Sequence, residues 1–112
     1  MPDKLYNLSQ LTELAGGMDD FVQTMIDTFL EHTPSQFNSM EEAYNQKDFK
    51  TMGDLAHKIK PSIDLFQIEG LGDLIRSVER QGKANEALPN LGEQIKKIRN
   101  VLFEAMDQLK NR

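Results

Sequence analysis

Apolar residues recur at three- and four-residue steps along almost the whole chain, the signature of helices that each bury one face. Asn7 or Ser9 can cap a short first helix that Gly16 and Gly17 stop. Asp19 and Asp20 place negative charge in the first turn of a second helix, where the helix dipole favours it, and Phe21, Val22, Met25, Ile26, Phe29 and Leu30 form its apolar face. Thr33-Pro34 is expected to break or bend that helix, with Thr33 as N-cap and Pro34 at the first helical position of a further segment. Phe37, Met40 and Tyr44 carry this segment to about Gln46. Asp48 caps the next helix, which runs to about Phe66, and Glu69-Gly70 marks the turn after it. Leu71, Leu74, Ile75 and Val78 face inward on the following helix, which ends between Gly82 and Asn85. Leu88-Pro89 opens the last helix, with Leu91, Ile95, Ile98, Leu102, Ala105, Met106 and Leu109 as its stripe. Short connections make consecutive helices antiparallel neighbours. The pattern predicts an all-α fold: an up-down antiparallel four-helix bundle preceded by a short N-terminal helix, a single domain over residues 1–112.

One helix carries a histidine on the wrong side for a core residue. Its apolar stripe is Phe49, Met52, Ala56, Ile59, Ile63 and Phe66, and at about 100° per residue His57 lies roughly 140° from the stripe's centre. Gly53, Lys60 and Asp64 share the His57 flank. A histidine held toward solvent on a stiff helix, with Lys60 one turn on and Gly53 one turn back, is a candidate nucleophile, a role in which neutral imidazole is competent. From periodicity alone, a solvated surface histidine is the plainer alternative. Pro61 follows His57 by four residues and has no amide hydrogen to offer the His57 carbonyl. The apolar residues beyond it, Ile63, Leu65 and Phe66, imply that the helix continues, with a kink centred between His57 and Pro61. The second histidine, His32, sits near the edge of its helix's apolar face. At a helix C-terminus, a partly buried imidazole near the last carbonyls is the ordinary reading.

The bulk numbers remove most other functions. A chain of 112 residues is one domain, able to bury roughly 65% of its unfolded surface without staples. There is no cysteine, so no disulfide, thiolate metal site or cysteine nucleophile, which suits a reducing cytoplasm. The first residues have no apolar run of the kind a secretory signal needs, and no stretch approaches the ~18 apolar residues of a membrane span. A net charge of −5 argues against nucleic acid. The basic residues of the last third (Lys96, Lys97, Arg99, Lys110, Arg112) read as a solvated face interleaved with acids. No Gly-rich phosphate loop and no His-Glu-x-x-His is present. Glu31-His32 has the wrong spacing for a bundle di-iron site. A metal- or cofactor-binding bundle is disfavoured by the shortage of ligands, and no metal site is expected.

The run Leu55-Ala56-His57 with Ile59, Lys60 and Ser62, followed by a helix bearing Leu71, Leu74, Val78 and Glu79, resembles the histidine-containing phosphotransfer (HPt) domain family. The segment Phe21 to Pro34 is similar to the helix that precedes the phosphorylatable one, so the resemblance covers nearly the whole chain. Pro61 stands where the family has a glycine after the lysine, and Gln67 where it has a later glycine. The resemblance implies a phosphorelay module that accepts a phosphoryl group on His57 from a receiver-domain aspartate and passes it on. Such a module is a phosphohistidine carrier rather than a self-sufficient enzyme. It needs no cofactor of its own, because the receiver supplies the Mg²⁺ and most catalytic groups. The implied partners are response-regulator receiver domains, with a hybrid histidine kinase as a further candidate, and the chain is expected to be a monomer that binds neither nucleic acid nor membrane.

Lys60 would neutralise phosphoryl charge. With Lys58, Gly53, Pro61 and Asp64 it would contact the phosphoryl group or the partner. Glu79 is expected within hydrogen-bond or one-water reach of His57, orienting the ring by accepting from one nitrogen and leaving the other free; a rim carboxylate in water is the alternative. Arg76 and Lys83, on the same flank as Glu79, are candidates for charge support. The rival to the whole reading is a non-catalytic helical interaction module that has lost transfer because Pro61 and Gln67 altered the docking face.

Overall fold

The computed structural model describes residues 4–112, so the first three residues of the expected domain lie outside it. Five helices follow in order: α1 Ser9–Leu14, α2 Asp19–Asn45, α3 Phe49–Leu65, α4 Leu71–Lys83 and α5 Leu91–Lys110, with no strand among the described residues. α2 packs on α3, α3 on α4, α4 on α5, and α5 returns to α2, which closes the expected bundle; α1 lies against α2. The predicted stripes meet at the centre. Ile26, Phe37 and Met40 of α2, Met52, Ile59 and Ile63 of α3, Leu71 and Ile75 of α4, and Leu91, Ile98 and Leu102 of α5 are fully buried. Phe29 of α2 stacks on Phe66 at the end of α3, with ring centroids 4.3 Å apart. Backbone bonds from Asn7 to the Phe66 carbonyl and from Glu69 to the Leu5 carbonyl tie the N-terminal segment across this end of the bundle.

Three expectations are corrected. α2 does not stop at Thr33-Pro34: it runs through Pro34 as one helix of 27 residues, and Thr33 is buried inside it rather than capping anything. Pro34 deprives only the Leu30 carbonyl of its amide partner, at a cost of about 3 kcal/mol in a helix interior. Continuing the helix keeps Phe29, Phe37 and Met40 on one stripe, and each large apolar side chain buried is worth roughly 1.5–3 kcal/mol, so continuity wins. Because the helix continues to Asn45, His32 is a mid-helix residue far from the last carbonyls, and it is exposed rather than partly buried. Phe21 is 48% exposed, since the buried stripe starts at Val22, one residue further around the helix.

α3 begins as expected, with the Asp48 side chain accepting from the Thr51 amide. It runs unbroken through Pro61, whose ring is exposed. Its end explains the departure at Gln67. The Gln67 amide donates to the Asp64 carbonyl and the Ile68 amide to the Ile63 carbonyl, the paired bonds of a Schellman motif. That motif needs a left-handed residue, and Gln67 supplies it at φ 48°. A side chain at such a position costs about 1 kcal/mol or more relative to glycine. Gln67→Gly is therefore expected to stabilise the domain by about 0.5–1 kcal/mol, after the glycine's greater unfolded-state freedom is set against the relief. The check is a higher urea midpoint at an unchanged slope.

Candidate functional site

The site is made where α3 and α4 lie side by side. Met52, Ala56, Ile59 and Ile63 turn one face of α3 into the core, and this forces His57 outward; its side chain is 64% exposed. α4 buries Val78 and, beside it, Glu79. The Glu79 carboxylate receives three basic side chains. Its Oε2 lies 2.6 Å from His57 Nδ1 and 3.2 Å from Lys83 Nζ, and its Oε1 lies 2.7 Å from Lys60 Nζ. The hydrogen bond from Lys60 is the main reason that the Glu79 carboxyl falls from 4.5 to about 2, helped by His57 and Lys83 and opposed by desolvation.

Glu79 is therefore ionised at neutral pH and can only accept. A neutral His57 facing it must carry its proton on Nδ1, and its lone pair is then on Nε2, the nitrogen turned away from Glu79. Glu79 thus touches His57 directly, and Lys60 and Lys83 stand next to the ring through the same carboxylate.

The other residues read from the sequence are distributed differently. Asp64 and Arg76 hold one another in a two-point pair, with Nη2–Oδ2 at 2.6 Å and Nη1–Oδ1 at 3.0 Å, and Arg76 also donates to the Gly72 carbonyl. The bond from Asp64 raises the Arg76 pKa. Lys58 faces α2 and lines a groove with Phe29, His32 and Ser62. Gly53 is not open on the His57 flank: it is buried against Gly82 of α4. Arg99 of the basic last third is engaged with Glu41 and lies over the rings of Phe37 and Phe103.

Sequence reasoning missed two features. Gly82 was legible only as the vicinity of a helix end, yet it is buried within the last turn of α4. A polar cluster of Ser77, Gln81 and Gln94 joins α4 to α5, and the Leu88 amide donates to Gln81 Oε1 to hold the connecting loop. Its only signal was a pair of glutamines at helical positions, which periodicity reads as surface.

Among the described residues, no group of three or more His, Asp or Glu side chains could hold a metal ion, and no helix is long and apolar enough to cross a membrane. What the bundle offers is one imidazole, backed by a buried carboxylate and open to another molecule's surface. The chain belongs to the Hpt domain family, which matches residues 24–112, from the first turns of α2 to the end of α5. An Hpt domain implies phosphotransfer in a phosphorelay, and Hpt domains typically interact with receiver domains. No curated protein and no solved structure matches the chain.

Proposed function

We propose that His57 is the phosphoryl acceptor, loaded from the aspartyl phosphate of a receiver domain and discharged to another receiver. The observation that carries the proposal is the 2.6 Å contact between His57 Nδ1 and the buried Glu79 carboxylate, on a ring whose other nitrogen is free. In the transfer, the Nε2 lone pair attacks phosphorus, the N–P bond forms, and the P–O bond to the aspartate breaks with its electron pair leaving on the carboxylate. The Nδ1 proton stays on the ring. The positive charge that the ring gains is offset by Glu79, 2.6 Å away. Lys60 and Lys83 can turn from Glu79 toward the incoming phosphoryl oxygens, which need charge stabilisation more than covalent help. The receiver brings the Mg²⁺, and its docking surface on this chain includes the exposed Pro61 ring one turn beyond His57, with Lys58 on the neighbouring flank. The chain does not phosphorylate itself.

The test is incubation with a phosphorylated receiver, followed by mapping of acid-labile, base-stable phosphate. Phosphate on His57 is the expected result. Phosphate on His32 would overturn the assignment, and failure to load from any receiver of the source organism would leave the non-catalytic interaction module as the reading.

A further inference from the structure

We propose that the contact between Gly53 and Gly82 is the positioning device of the site: by fixing how closely α3 and α4 approach, it sets the distance at which Glu79 holds the His57 ring. The proposal rests on His57 being the acceptor. The two helices are antiparallel neighbours. From the glycine crossing, His57 is four residues forward along α3 and Glu79 three residues back along α4, so both lie one turn away at the same end. The crossing and the His57–Glu79 bond are successive rungs between the same two backbones.

The crossing is unusually intimate. A Cβ placed on Gly53 would lie 2.8 Å from the Gly82 Cα and 3.2 Å from the Glu79 carbonyl oxygen. One placed on Gly82 would lie 2.6 Å from both the Gly53 nitrogen and the Phe49 carbonyl oxygen. Every one of these atoms is backbone, so no rotamer change relieves the clash and the helices themselves must separate. Neither glycine has the positive φ found at Gly16, Gly17 and Gly70, so backbone conformation does not require them; close approach does. Restoring ordinary contact takes about 1 Å of separation. One rung along, that would carry a 2.6 Å bond beyond the reach of a hydrogen bond. Gly72 supplies the contrast within α4. A Cβ there would meet only the movable ends of Arg76, at 3.3 Å, and Asp64, at 3.8 Å.

The experiment compares Gly53→Ala and Gly82→Ala with Gly72→Ala and the parent, with two readouts on each. The first is the ring ¹⁵N spectrum of His57 in the unphosphorylated protein at alkaline pH. The parent and Gly72→Ala should show the Nδ1–H tautomer, and the crossing variants should shift toward Nε2–H. The second is the initial rate of phosphoryl uptake from phosphoramidate, which should fall roughly ten- to a hundredfold in the crossing variants, as displacements near 1 Å do at reacting centres. Crossing variants that keep the Nδ1–H tautomer, or that keep the parent's rate, overturn the proposal. Should neither fold, Glu79→Asp carries the test, because it withdraws the carboxylate by one methylene with the crossing intact. The same tautomer shift and loss of rate are then expected, and parent-like values overturn the proposal. A parent that loads elsewhere than His57 sinks the acceptor assignment instead, and the tautomer comparison still decides whether the crossing holds the ring.

Discussion

His57→Gln is expected to take up no phosphoryl group from any donor that loads the parent, while folding as well as the parent does. The lone pair of an amide nitrogen is delocalised into its carbonyl, so glutamine cannot replace imidazole as a nucleophile, and nothing else exposed on this flank can either. Stability should change by no more than about 0.5 kcal/mol. The ring is 64% exposed, and it is only one of three partners of Glu79, so Lys60 and Lys83 keep the carboxylate satisfied after substitution. Gel-shift or radiolabel detection of the phosphorylated form, beside a urea titration of each protein, checks both halves. Residual uptake would point to His32, whose own substitution is expected to leave loading unchanged.

Much of this arrangement was legible because α3 is governed by one rule. A stripe at helical spacing has to face the core, and any residue opposite it has to face water; His57 follows from that alone, as does the exposed ring of Pro61. The Asp48 cap and the Gly70 turn followed from residue types whose conformational roles are local. Where local and tertiary demands conflict, the sequence misled. Thr33-Pro34 has the local chemistry of a helix start, yet burying Phe29, Phe37 and Met40 on one stripe overrides it. Gln67 lacks the glycine its turn prefers, but the turn's two backbone bonds and the burial of Ile68 hold it in the same conformation.

Gly53 shares the His57 flank by angle, yet it is buried between the two helices rather than open to a partner's approach. Angle on one helix does not say where the neighbouring helix crosses it, and that depends on Gly82, 29 positions away in the chain. The convergence of Lys60 and Lys83 on Glu79 was hidden for the same reason. Each was legible as a separate charge on its own helix, and only the packing of α3 on α4 makes them a single cluster with His57.

That cluster should make the domain acid-sensitive through a single carboxylate. Glu79 titrates at about 2 in the folded chain against 4.5 as its ordinary value, principally because Lys60 donates to it. Between those two values the unfolded chain binds the proton more readily than the folded one, so stability rises with pH across that window. The contribution of Glu79 is then fully present above about pH 5 and is lost progressively as pH falls toward 2. With allowance for the nearby solvent that His57 and Lys83 share, it amounts to about 1–3 kcal/mol. Other carboxylates titrate alike in parent and variant, so Glu79→Gln isolates this one. The variant is expected to be about 1–3 kcal/mol less stable than the parent at pH 7, where the neutral amide is a weaker partner for the three-quarters-buried Lys60. The two proteins should converge as pH approaches 2. Urea unfolding of both at pH 7, 5, 3 and 2 measures the gap. A difference that stays constant across that range would mean that the ion pairs on Glu79 contribute nothing, and that its loss acts through packing alone.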